Sequence, residues 1–226
     1  MATQGPLYPG TVVDDSGIGT VVWAGTGNIA ADDAVYASAL MGPSQQSHYL
    51  KATNYGFSIP SGATIDNILV EIDRKCGTAS LAQDNAMRQV QGGTIGSVDY
   101  SNAAFWPTSD GVQSYSGLFE GGWTDTNINA SDFGWAASVK LGLGGATSSV
   151  DYIRITVTYT AAAASLPVAD MVQESRTVRP PPGVVAYCSP YISGAGLQRA
   201  ARLVRRLFSP RRGGLTLFPR GALRHG

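Results

Sequence analysis

Phe133-Gly134-Trp135-Ala136-Ala137-Ser138-Val139-Lys140-Leu141-Gly142-Leu143 is the stretch on which the fold turns. Phe133, Trp135, Ala137, Val139, Leu141 and Leu143 are apolar and alternate with Gly134, Ala136, Ser138, Lys140 and Gly142. A period of two puts the first set on one face of a strand and the second set on the other, so one face is buried. Ile153, Ile155, Val157 and Tyr159 alternate in the same way with Arg154, Thr156 and Thr158. Ile68, Val70 and Ile72 alternate with Leu69, Glu71 and Asp73, behind a turn at Pro60-Ser61-Gly62. Residues 20–24, 55–59 and 86–90 are shorter strand candidates. Turn residues separate these runs at the spacing of a sandwich, so two packed antiparallel sheets are expected. A parallel sheet would need helical crossovers. The only helix expected before residue 160 is a short one over 32–41.

Composition agrees with an all-β reading. Charged residues make up 14% of the 226, against about 25% in ordinary soluble domains, and there are 28 glycines for turns. The two cysteines, Cys76 and Cys188, form neither a disulfide framework nor a metal cluster and are expected to be idle thiols. The first residues, Met1-Ala2-Thr3-Gln4-Gly5-Pro6, have neither the basic nor the apolar region of a Sec signal, so none is expected. No apolar run approaches the roughly 20 residues that span a bilayer, so no membrane association is expected.

The formal net charge of zero conceals two opposite halves. Residues 1–160 carry six Lys/Arg against fourteen Asp/Glu, a formal −8. Residues 161–226 carry ten Arg, no Lys and only two acids, Asp170 and Glu174, a formal +8. Such a division marks a folded module joined to an arm that binds something else. The arm begins with a linker at 161–165 and continues through a stiff Arg179-Pro180-Pro181-Pro182-Gly183 segment. Residues 196–208 then show helical spacing. Leu197, Ala200, Ala201, Val204, Leu207 and Phe208 recur on one side, with Arg199, Arg202, Arg205 and Arg206 on the other. Arg199, Arg202, Arg205, Arg206, Arg211 and Arg212, with Leu203, Leu207 and Phe208, are the expected partner-binding residues. Their targets by chemistry are nucleic acid, anionic lipid or an acidic protein surface. The acidic body would repel phosphate, and guanidinium forks favour fixed, directional contacts, so a protein surface is expected.

Other signals fall short of chemistry. Gly25-Thr26-Gly27-Asn28-Ile29-Ala30 has the glycine spacing of a dinucleotide loop, but no acid follows about 20 residues on, and a β-turn is expected. Asp125-Thr126-Asn127-Ile128-Asn129 opens like a calcium loop, yet Ala130 and Ala136 stand at the sixth and twelfth positions where Gly and Glu are needed. A turn with Asx hydrogen bonds is expected there. His48 and His225 are the only histidines, no Gly-x-Ser-x-Gly elbow is present, and His48 is expected at the surface or a strand edge. No acid stands out from the solvated background, so the chain reads as non-enzymatic, without cofactor or metal. The segment 92–122 resists the strand pattern, and loops of that length tend to be functional. Its aromatics Trp106, Tyr115 and Phe119, with Trp123 just after, form either a packed or interface cluster or a glycan platform.

Several segments in fixed order resemble a recurrent bacteriophage virion structural protein. They are Trp23, Asp32-Asp33-Ala34-Val35-Tyr36-Ala37, Tyr49-Leu50-Lys51-Ala52 and Tyr55-Gly56-Phe57-Ser58-Ile59-Pro60-Ser61-Gly62-Ala63-Thr64-Ile65. Val70-Glu71-Ile72-Asp73-Arg74 and Asp84-Asn85 follow, then 123–134 with its Ile128-Asn129-Ala130-Ser131-Asp132-Phe133-Gly134, then 150–160 with its Val150-Asp151-Tyr152-Ile153. The match covers about residues 20–160, and none of its motifs is catalytic. The resemblance implies a jelly-roll-like β-sandwich over 1–160, with 1–19 as an N-terminal arm, and a virion location after assembly in the host cytoplasm. It leaves head, neck and tail open. The expected role is a capsid decoration or cement subunit that oligomerises and docks on the major capsid protein or neighbouring virion proteins. The alternative is a tail or fibre module that binds a receptor or carbohydrate. The arm from 161 to 226 resembles nothing in that family.

Overall fold

The computed structural model describes residues 1–117 and 122–163, which fall in one compact unit, Met1–Ser165. Ten strands make two five-stranded antiparallel sheets. They are β1 (Ala2–Leu7), β2 (Thr11–Asp15), β3 (Ala37–Met41), β4 (Tyr49–Thr53), β5 (Thr64–Cys76), β6 (Ala82–Gln91), β7 (Thr94–Ile95), β8 (Gly111–Gly117), β9 (Gly134–Leu141) and β10 (Ala146–Thr160). The first sheet runs β1-β10-β5-β8, with β3 also paired to β10, and the second runs β2-β4-β9-β6-β7. From β3 onward the chain crosses between sheets at nearly every connection. The spatial order β3-β10-β5-β8 facing β4-β9-β6-β7 is jelly-roll connectivity.

The alternating residues explain why this packing closes. Ile68, Val70 and Ile72 of β5 and Ile153, Ile155 and Val157 of β10 are buried against Trp135, Ala137 and Val139 of β9. Strand β10 is the spine. Its 15 residues pair with β5 along one side, and with β1 and β3 along the other. Register shifts between Val150 and Tyr152, so Asp151 is the extra residue of a β-bulge. Gly134 sits where β9 passes β4 so closely that a Cβ would lie 1.9 Å from the Ala52 carbonyl oxygen. Only glycine permits that approach.

Several expectations need correction. Residues 1–19, expected as an N-terminal arm of the sandwich, hold two of its strands: β1 joins the first sheet through β10, and β2 joins the second through β4. No helix forms over 32–41: residues 32–36 are irregular, and strand β3 follows, where buried Ala37, Ala39 and Met41 alternate with Ser38 and Leu40. Burial of that face on β10 overrides alanine's helix propensity. Residues 20–24 hold only two isolated bridges, Val21 to Ser47 and Ala24 to Ser38. Residues 55–59 keep the period of two, with Tyr55, Phe57 and Ile59 buried, but join no ladder. Side chains complete their bonding instead: the Ile59 N–H donates to Asn129 Oδ1 at 2.7 Å and the Asn129 amide donates to the Ile59 carbonyl at 2.9 Å. Strand β9 ends at Leu141, and Leu143 is exposed. The 92–122 segment contains β7 and β8.

Residues 125–129 form a one-turn helix, α1 (Asp125–Asn129), capped by Thr124 with Asn127 closing the capping box. Residues 26–29 form a 3-10 turn entered through Gly25 at φ +65°. Cys76 is a buried free thiol, and Cys188 lies outside the described residues. No helix among the described residues is long and apolar enough to cross a membrane.

Candidate interaction surface

Of the aromatics read as either a packed or interface cluster or a glycan platform, Trp106 and Tyr115 lie inside the protein. Trp106 is 2% exposed and Tyr115 is 7% exposed. Both converge on Asp84, a fully buried carboxylate of β6. Asp84 Oδ1 accepts from Arg74 and from Trp106 Nε1 at 2.8 Å. Asp84 Oδ2 accepts from the Tyr115 hydroxyl at 2.6 Å and from the Asn102 N–H at 2.8 Å. The Arg74 guanidinium, on the inward face of β5, also donates to the Tyr115 oxygen at 2.9 Å and lies 5.0 Å from the centre of the Trp106 ring. Burial, with the Asp84 charge beside it, holds the Tyr115 hydroxyl far above the usual tyrosine range.

This network ties β5, β6 and β8 to the 98–106 loop, and it removes Trp106 and Tyr115 from any sugar-stacking role. Trp123 is half-buried, edge-on to Phe133 at 5.3 Å between ring centres. Phe119 and the arm residues of 199–212 lie outside the described residues.

The outer face of the first sheet is different. Side chains alternate along β5, so Ile72 and Arg74 point to the core and Asp73 points out. The bulge turns Asp151 to that same side, and the loop before β3 crosses over it through a bridge from Ala30 to Tyr152. Six acids gather here: Asp32, Asp33, Glu71, Asp73, Asp110 and Asp151. Two cations answer them. Lys75 Nζ lies 3.1 Å from Asp110 and 3.6 Å from the centre of the Tyr36 ring. Arg154 Nε donates to Glu71 at 3.0 Å, while its Nη1 lies 3.9 Å from Asp32.

Among the described residues, no cation pairs with Asp73 or Asp151. Asp151 is 3% exposed and Asp73 is 9% exposed, and Oδ1 of each is buried with no hydrogen-bond partner. Burial raises the carboxyls of both above the usual aspartate range. Asp110 and Asp32 add to the rise at both, and Asp33 adds to it at Asp151. Backbone N–H groups of Gly111 and Ala34 work the other way at Asp73 and Asp151 respectively, without offsetting it. Asp110 is held low, because Lys75 and Tyr36 outweigh its partial burial. No group of three or more His, Cys, Asp or Glu among the described residues is placed to hold a metal ion.

His48 is not a bare surface residue. Its Nδ1 lies 2.7 Å from Asp14 Oδ2, and Asp14 Oδ1 accepts the Trp23 N–H at 2.8 Å. The pair pins the 20–24 segment to β2.

Part of this was visible in sequence. Arg74 stands at the next inward position after Ile68, Val70 and Ile72, and an arginine aimed inward calls for a buried acid. The gathering of acids around Asp151 had no such signal, because a bulge decides it.

No protein-family model matches the chain, and no curated protein matches it. Two solved structures are similar. One, described as "CBM4 structure and function", shares 12% identity at a TM-score of 0.36 and covers 57% of this chain and 87% of its own. The other, described as "BiXyn10A CBM1 APO", shares 11% identity at a TM-score of 0.33 and covers 69% of this chain and 99% of its own.

Proposed function

We propose that this chain is a virion structural protein of a bacteriophage, a capsid decoration or cement subunit. Its β-sandwich oligomerises on the shell, and its arginine arm docks on acidic surfaces of the major capsid protein or of neighbouring virion proteins. The role is structural and not catalytic. The observation that carries this reading is the charge division: an acidic jelly roll at −8 joined to an arginine-only segment at +8. The ordered run of virion-like segments over residues 20–160 supports it. The physical logic is multivalency, since a weak arm contact added to a modest footprint raises the effective affinity of every copy on a lattice. Exposed Arg–carboxylate contacts make the docking salt-sensitive.

The alternative, a tail or fibre carbohydrate-binding module, loses support because Trp106 and Tyr115 are spent inside the core. Truncation after residue 160 tests the proposal. Particles assembled with the truncated protein are expected to show reduced occupancy and reduced resistance to heat. Unchanged occupancy sinks the decoration-arm reading.

A further inference from the structure

The acids on the outer face of the first sheet are grouped at an expense to the free body. Burial raises the carboxyls of Asp73 and Asp151, and their neighbours Asp32 and Asp110 raise them further. Each keeps one buried oxygen with no donor. Carboxylates in that condition call for a donor-rich cation, since a buried polar group without a partner loses the free energy its hydration supplied.

Beside them, Asp32 and Asp110 expose about half of their side chains, 56% and 46%, with Asp110 already meeting Lys75 at 3.1 Å and accepting the Tyr36 hydroxyl at 3.0 Å. The two resident cations are already engaged, Lys75 by Asp110 and Tyr36, and Arg154 by Glu71. Among the described residues, six acids against two bases leave this face at a formal −4. The acids are not placed to ligate one metal ion in a group of three. A ligand that offers several separated charges fits the spread better than a point charge, and guanidinium forks match carboxylates in geometry.

The chain itself carries such a ligand. Arg199, Arg202, Arg205, Arg206, Arg211 and Arg212 fall within 14 residues that contain no acid. We propose that the outer face of the first sheet, around Asp32, Asp33, Asp73, Asp110 and Asp151, is the docking site for the 199–212 segment of a second copy of this chain. This deepens the proposed function, and rests on it, by naming the acidic surface that the arm meets between subunits. Head-to-tail docking of this kind is heterologous, so it propagates from copy to copy and closes only if a rotation closes it.

The test uses the full chain. Sedimentation velocity over a range of protein concentrations is expected to show self-association that weakens as salt rises from about 0.05 M to about 0.5 M. The triple variant Asp32→Asn/Asp33→Asn/Asp110→Asn, which changes exposed acids and leaves the core intact, is expected to weaken that association by about tenfold or more. A labelled peptide of residues 196–212 is expected to bind the full chain and to lose affinity for the triple variant by a similar factor. Three results overturn the inference: a chain that stays monomeric and ignores the peptide, association unchanged in the triple variant, or millimolar calcium bound at this face with peptide affinity unaltered. Failure here is separable from failure of the function. A triple variant that no longer self-associates yet enters particles normally removes this docking site and leaves the decoration role. A chain that self-associates as expected but never enters particles removes the role and leaves the site.

Discussion

Two aspartates, Asp84 and Asp151, are almost equally buried at 2% and 3% exposure, and their surroundings differ in every other way. Asp84 lies between the sheets with both oxygens occupied, by Arg74, Trp106, Tyr115 and the Asn102 backbone. Asp151 lies under the loop before β3 with one oxygen unpartnered and acids around it. Burying a carboxylate is costly unless donors replace the lost water. The interior meets that condition and thereby fixes a loop to three strands. The outer face leaves it unmet, which is how a surface awaiting a cationic partner differs from a core built to be stable alone.

The largest effect should come from breaking the satisfied site. Asp84→Ala strands a buried guanidinium, an indole N–H and a phenol, and should destabilise the body by about 3–5 kcal/mol, read from the midpoint of chemical unfolding. A loss under about 1 kcal/mol would mean that water replaces the carboxylate without strain, and the contrast with Asp151 would dissolve.

Tyr115→Phe removes one donor to Asp84 and one acceptor of Arg74, and leaves the ring in place. It should cost about 1.5–3 kcal/mol, the range for a hydrogen bond to a charged group, while Tyr159→Phe, on a half-buried ring, serves as a control with little change.

Asp151→Asn should act in the opposite direction and by less. Asparagine keeps an oxygen for the Ala34 N–H, sheds the charge and turns a donor toward the neighbouring acids. A gain at pH 7 of up to ~1 kcal/mol is expected, in the range of single charge interactions near a surface.

The sign of its pH dependence follows from the raised carboxyl. A group that binds its proton more readily when folded favours the folded state below its unfolded pKa, and loses that contribution as pH rises through the folded value. The advantage of Asp151→Asn over the natural protein should therefore be full at pH 7 and vanish below about pH 4, where Asp151 is protonated in both states. Thermal unfolding at the two pH values measures it. An advantage that persists in acid would show that packing, not charge, separates the two proteins.

The sandwich was legible because strand alternation is local. Two residues suffice to show which side is apolar, and the Phe133–Leu141 alternation and the 153–159 run returned as β9 and β10. Hydrogen-bond partnership is not local. Residues 55–59 alternate as well as any strand, yet Asn129, 70 positions from Ile59, takes the place of a ladder. Strands β1 and β2 carry no such pattern, because neither Ala2–Leu7 nor Thr11–Asp15 holds a buried residue and both owe their strand character to the neighbours they pair with. For β8, Gly111-Val112-Gln113-Ser114-Tyr115-Ser116-Gly117 offers one buried side chain, Tyr115, too few to reveal a period.

The sequence by itself determined an all-β body with alternating buried faces, and the separation of negative body from positive arm, since composition and period two need no knowledge of neighbours. Only the tertiary structure decided which acids meet. Asp32, Asp73, Asp110 and Asp151 come from four separate parts of the chain, and a one-residue bulge in β10 turns Asp151 to the side they share. Pairing register, which depends on both strands at once, is what brings them together.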